Sequence, residues 1–167
     1  GPALHRTIGS VWAVSLAKHD GRYFLYIPTK ASPNSIWVIH ADRIEGPWSE
    51  PVDLGLHAHI DPCHVVGEDG SRWLFLSGGD RVRLSADGLS TVGTPEHVYD
   101  PWHYPSDWVV EGFSPEGPKI VRHGGYFYLI TAVGGTAGPP TGHMVIAARA
   151  RSIHGPWEDC PANPLVR

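Results

Sequence analysis

Apolar and polar positions along this chain alternate in short bursts and nowhere in the 3.6-residue rhythm of an amphipathic helix. The clearest bursts are RYFLYIP (22–28), SRWLFLS (71–77) and YFYLIT (126–131). Each is dense in aromatic and aliphatic side chains that suit a pleated, half-buried surface. Each follows a pair of turn residues, Asp20-Gly21, Asp69-Gly70 or Gly124-Gly125, whose tolerance of positive φ closes a tight hairpin. The pattern predicts three β-hairpins whose turns lie 49 and then 55 residues apart.

A second feature recurs with them. SIWVIHADRIEGPWSEP (35–51) is echoed by HMVIAARARSIHGPWEDCP (143–161), a strand and then a polar stretch holding Gly-Pro-Trp. DRVRLSADGLSTVGTPEHV (80–98) is a degenerate middle copy without that tripeptide. The repeating unit is a hairpin, a third strand and a polar outer strand. Four short strands in a period near fifty residues are the signature of a β-propeller blade. An irregular β-sandwich has similar turn spacing, but Gly-Pro-Trp repeated in register argues against it. The expected fold is all-β, a single propeller segment over 1–167 with blades near 8–56, 57–110 and 111–167. Three blades alone expose strand edges that a closed ring removes, so missing blades or an associating chain are expected to complete it.

Composition narrows the function. The chain has 167 residues, enough for one sizeable core, with 20 Gly, 16 Pro and 7 Trp. Its net charge of -4 gives no basic footprint for nucleic acid, and no apolar run reaches the length of a membrane span. Cys63 and Cys160 each neighbour a proline and are expected to be unpaired packing residues.

Candidate chemistry sits just ahead of each hairpin, in SVWAVSLAKHDG, HIDPCHVVGEDG and SPEGPKIVRHGG. Trp12 precedes Asp20 by eight residues, Asp61 precedes Asp69 by eight, and Glu116 precedes Gly124 by eight. In a propeller these are equivalent positions at the mouth of the ring, so an aromatic side chain and two acids should converge on one cavity. Two carboxylates beside an aromatic wall suit the cleavage of a glycosidic bond, in which one acid protonates the leaving oxygen and another carboxylate assists. A neighbouring negative charge and partial burial keep the proton donor protonated. Glu111, five residues upstream of Glu116, is the competing acid but lacks the repeat register. His57, His59 and His64 lack the spacing of a zinc site, and no metal is required. Trp48 and Trp157, in the repeated Gly-Pro-Trp, are expected to pack between blades.

At these residues the sequence resembles glycoside hydrolase family 43, five-bladed propellers that trim arabinose and xylose from plant polysaccharides. VWAVSL is similar to the entry of blade two in that family, HIDPC to that of blade three, and PEGPKIVRHGGYFYLITAVGGT to blade four. The resemblance implies Glu116 as general acid and Asp61 as the carboxylate that orients it and raises its pKa. It further implies inversion, an oligosaccharide or polysaccharide substrate, and an extracellular or periplasmic setting. It also implies a general-base Asp on blade one, expected to lie outside residues 1–167. The isolated chain is accordingly expected to have little or no activity, and the rival expectation is a non-catalytic carbohydrate-binding or structural propeller piece. His143 corresponds to a histidine near the axis that contacts substrate or holds water, with room for a calcium ion. Departures are Val14 for Pro, Cys63 for Ser, and Val133 where that family often has Glu.

Overall fold

The structure is a computed structural model that describes residues 10–30 and 32–167. Residues 8 and 9, the expected start of the first blade, lie outside the described residues. The three hairpins form, and each grows into a four-stranded antiparallel meander whose strands follow chain order. The first sheet is β1 (Ser15–His19), β2 (Arg22–Pro28), β3 (Ile36–Ala41) and β4 (Val52–Asp53). The second is β5 (Cys63–Val66), β6 (Arg72–Phe75), β7 (Asp80–Leu84) and β8 (Thr91–His97). The third is β9 (Glu116–His123), β10 (Tyr126–Val133), β11 (Met144–Ala150) and β12 (Glu158–Asp159). Among the described residues only two short 3₁₀ turns, Ser77–Gly79 and Pro140–Gly142, are helical.

Two of the three hairpin turns have the expected two-residue form. His19 pairs with Arg22 and His123 with Tyr126, and the residues between them all have positive φ. The middle turn differs. Val66 pairs with Arg72, leaving a longer loop over 67–71 in which the Asp69 carboxylate accepts from the Ser71 amide at 2.9 Å. That side-chain acceptor supplements the backbone bond from the Gly67 amide to the Ser71 carbonyl at 2.8 Å, which closes the loop.

Packing explains the hydrophobic pattern. One face of the first sheet (Phe24, Tyr26, Ile36, Val38) meets Leu74, Leu76, Val82 and Leu84 of the second. The opposite face of the second sheet (Cys63, Val65, Trp73, Phe75) meets Phe127, Ile153 and Trp157 around the third. The second sheet is covered on both sides, so every residue of β6 is buried and its sequence reads as a continuous run, not an alternation. The inner strands adjoin in order, β1 beside β5 and β5 beside β9. Three twisted four-stranded sheets stacked face to face around their first strands are blades of a β-propeller.

Two buried arginines pin the stack. Arg72 donates from Nε to His64 Nε2 at 3.0 Å and from Nη1 to the Ala86 carbonyl at 3.0 Å, and its guanidinium lies 4.4 Å from the Phe24 ring centroid. Because Arg Nε can only donate, His64 Nε2 accepts and its proton sits on Nδ1. Burial, with Arg72 and His19 alongside, lowers the His64 pKa to about 3, so the ring stays neutral. Arg81 bridges the second and third sheets through Glu96 (2.8 Å) and the Ile153 carbonyl (2.6 Å), stacked 4.1 Å from Trp73. In each case a planar, weakly hydrated cation lies on an aromatic face with its donors satisfied, the form in which burying charge is tolerable.

Trp157 packs between blades as expected, edge-on to Phe75 at 5.8 Å and beside Tyr99. Trp48 lines a recess with Arg22, His40, Asp42 and Pro47, and the first sheet turns its other face away from the second. That outer face carries Leu16, 54% exposed, while the outer face of the third sheet carries Ile130 and Val121, also exposed. Cys63 is buried in the core between the second and third sheets, and both cysteines are free.

Candidate active site

Each inner strand starts at the same end of the stack, and the hairpin turns lie at the other. The residues just ahead of β1, β5 and β9 therefore share one rim, and this rim carries the carboxylates.

Glu116 is the first residue of β9, and its backbone is clamped by the second sheet. The Pro115 carbonyl accepts from the Gly78 amide at 2.9 Å, and the Gly117 amide donates to Asp61 Oδ2 at 3.0 Å. Between those anchors the strand is bulged. Ile130 pairs with Lys119 but Ala132 pairs with Glu116, so β9 spends one more residue than its partner across the interval. Gly117 supplies the positive φ of +61° there, and Pro118 stands where no ladder donor is needed. Pro-Glu-Gly-Pro thus encodes a fixed bulge that re-aims the carboxylate at the mouth of the strand.

Asp61 is held as firmly. Its Oδ2 takes a second hydrogen bond from Ser77 Oγ at 2.7 Å, and its own φ is +53°, a left-handed conformation that aspartate tolerates better than most residues. Such backbone strain concentrates at functional positions, where surrounding contacts over-determine it. The carboxyl of Glu116 is pushed above its ordinary range by partial burial first, and then by the negative charges of Asp61 and Glu111. A carboxyl whose proton is held more tightly, beside a firmly anchored carboxylate, is placed to serve as a proton donor.

The structure thus brings Asp61 and Glu116 together, and adds Glu111. Trp12 stands at the same end of the first sheet, 36% exposed, with Lys30 Nζ 5.3 Å from its ring centroid. His143 lies just ahead of β11 and donates from Nδ1 to the Gly135 carbonyl at 3.0 Å. Neither forms a hydrogen bond with Asp61 or Glu116. The equal spacing in sequence anticipates that Asp61 and the Glu116 segment meet at one rim. Glu111, the competing acid of the sequence reading, does act on Glu116, and the stretch that carries it, 98–115, packs on Val133, Met144 and Ile146 through Trp102, Tyr104, Trp108 and Val110. Among the described residues no three His, Cys, Asp or Glu side chains form a metal-binding group.

A recess of about 350 Å³ opens at the opposite end, among His19, Asp20, Asp69, Arg72 and Arg83. Its acids are already engaged, Asp20 with His19 at 3.4 Å and Asp69 with Ser71, so it lacks a free acid pair.

The family model for Glycosyl hydrolases family 43 matches residues 3–167, and the chain belongs to that family. It is 32% identical to a xylan 1,3-β-xylosidase of Vibrio sp over 177 aligned residues, 99% of this chain and 30% of that protein. It is 30% identical to the non-reducing end α-L-arabinofuranosidase BoGH43B of Bacteroides ovatus, across 95% of this chain and 28% of the relative. The crystal structure of the GH43 protein BlXynB from Bacillus licheniformis superposes with a TM-score of 0.80 at 28% identity, over 93% of this chain and 30% of that one. The chain spans about a third of the length of the relatives it matches.

Proposed function

We propose that this chain carries the general acid, Glu116, and its companion, Asp61, of an inverting glycoside hydrolase acting on β-D-xylosyl or α-L-arabinofuranosyl linkages of plant cell-wall polysaccharides. In this reading 8–56, 57–110 and 111–167 are three successive blades, and other blades of the ring supply the general base. Glu116 protonates the glycosidic oxygen as its bond to the anomeric carbon breaks. Water adds to that carbon from the opposite face and loses its proton to the base. Trp12 and His143 line the substrate side of the same rim. The xylosidase and arabinofuranosidase relatives support the two substrate classes. The observation that carries the reading is the raised carboxyl of Glu116 beside the anchored Asp61.

Two measurements on the complete protein test it. Proton NMR of the first-formed sugar from a β-xyloside or α-arabinofuranoside should show the anomer opposite to the substrate's; retention would sink single displacement. Asp61→Asn removes one of the charges that hold the Glu116 proton, so that proton leaves at lower pH. Activity needs Glu116 protonated, and the alkaline limb of the rate profile should therefore move to lower pH. An alkaline limb left in place would remove Asp61 from that role.

A further inference from the structure

The geometry points to Glu111 as a positioning residue for this site, clasping the glycine-rich loop that follows β10, the strand paired with Glu116, and placing a second negative charge near the proton donor. The inference rests on the reading of Glu116 as general acid.

Three features support it. The carboxylate of Glu111 accepts a hydrogen bond from the Ala137 amide across 26 residues of sequence, tying the linker ahead of β9 to the loop after β10. Gly135 lies directly against that carboxylate; its φ is +80°, and a Cβ there would run into the Glu111 Oε2 atom. The carbonyl of the same Gly135 accepts from His143 Nδ1, so one loop residue joins Glu111 to the histidine at the start of β11. The clasp needs an acceptor at 111 and no side chain at 135.

The charge has a separate consequence. The acids acting on Glu116 are Asp61, at the entry of β5, and Glu111, from the linker. The 3₁₀ turn Ser77–Gly79 faces this segment with a backbone amide, and the loop over 134–143 brings backbone and His143. Glu111 is exposed, so its field reaches Glu116 partly through water and weakens with salt. Asp61 is anchored to the backbone of Glu116's neighbour, whereas Glu111 is anchored to the loop. The two acids therefore hold the donor's proton from different elements.

The test uses the complete protein and Glu111→Gln, which keeps an acceptor for Ala137 but removes the charge, together with Glu111→Asp, which keeps the charge. The Glu116 carboxyl is titrated by carbon-13 NMR, its signal assigned by its loss in Glu116→Gln, and the pH dependence of kcat is measured in parallel. In Glu111→Gln the carboxyl midpoint and the alkaline limb should both move to lower pH. Activity one pH unit above the original limb should fall by about three- to tenfold. The difference from the parent should shrink in high salt, and Glu111→Asp should titrate close to the parent. A Glu116 midpoint unchanged in Glu111→Gln overturns the inference. A midpoint that moves while the rate profile stays put upholds Glu111 as the charge beside Glu116 and instead sinks Glu116 as the acid.

Discussion

Replacing Glu116 by Gln in the complete protein is expected to cut hydrolysis of a poor leaving group by about 10²–10⁴-fold, the usual worth of general acid assistance. Gln preserves size and hydrogen-bonding capacity, and the backbone clamp from Gly78 and Asp61 to the residues on either side does not involve the side chain. The loss should therefore report chemistry and not collapse of the bulge. A good leaving group, such as an activated phenolate, departs with little help from a proton. With such a substrate the penalty should shrink toward a few-fold. Steady-state rates on aryl glycosides of graded leaving-group acidity make the comparison. An equal penalty across the series would show that Glu116 is not the donor.

Phe75→Ala should cost about 3–5 kcal/mol of stability, in the range for truncating a fully buried aromatic side chain. Phe75 is 1% exposed and sits where the second sheet meets the third, in one cluster with Cys63, Trp73, Phe127 and Ile153 and edge-on to Trp157. Its loss opens a void between two blades at a contact that rigid sheets cannot close. The carboxylates depend on this contact indirectly, because Asp61 and Gly78 reach the Glu116 segment across the same pair of blades. Denaturant unfolding of the complete protein should show a lower midpoint, and activity should fall with temperature earlier than in the parent. A change below about 1 kcal/mol would mean that the second and third sheets do not rely on this packing.

Much of the architecture was legible because it is written in local chemistry. Turn pairs with positive φ mark where β1 turns into β2 and β9 into β10, and the aromatic runs after them become β2, β6 and β10. The repeated Gly-Pro-Trp marks equivalent outer strands, and the equal spacing to the turns places Asp61 and Glu116 on one rim. Each of these depends on residues a few positions apart, where backbone sterics and side-chain period act directly.

Other features became visible only in three dimensions. The longer middle turn at 67–71 closes through a Gly67–Ser71 backbone bond together with the Asp69 carboxylate, which accepts from the Ser71 amide. The bulge at Gly117 is a mismatch between two strands, and one strand read alone has no register to shift. Arg72 and Arg81 look like surface charges in sequence, yet they are buried because aromatic faces and carbonyls on neighbouring blades satisfy them. Glu111 reads in sequence as a competing acid, but its hold on the Ala137 amide spans 26 residues and has no local signal. Sequence by itself determined the blades and the positions of the two acids. Tertiary structure decided which charges face one another, because electrostatic coupling follows distance through space and burial, neither of which is a property of neighbours along the chain.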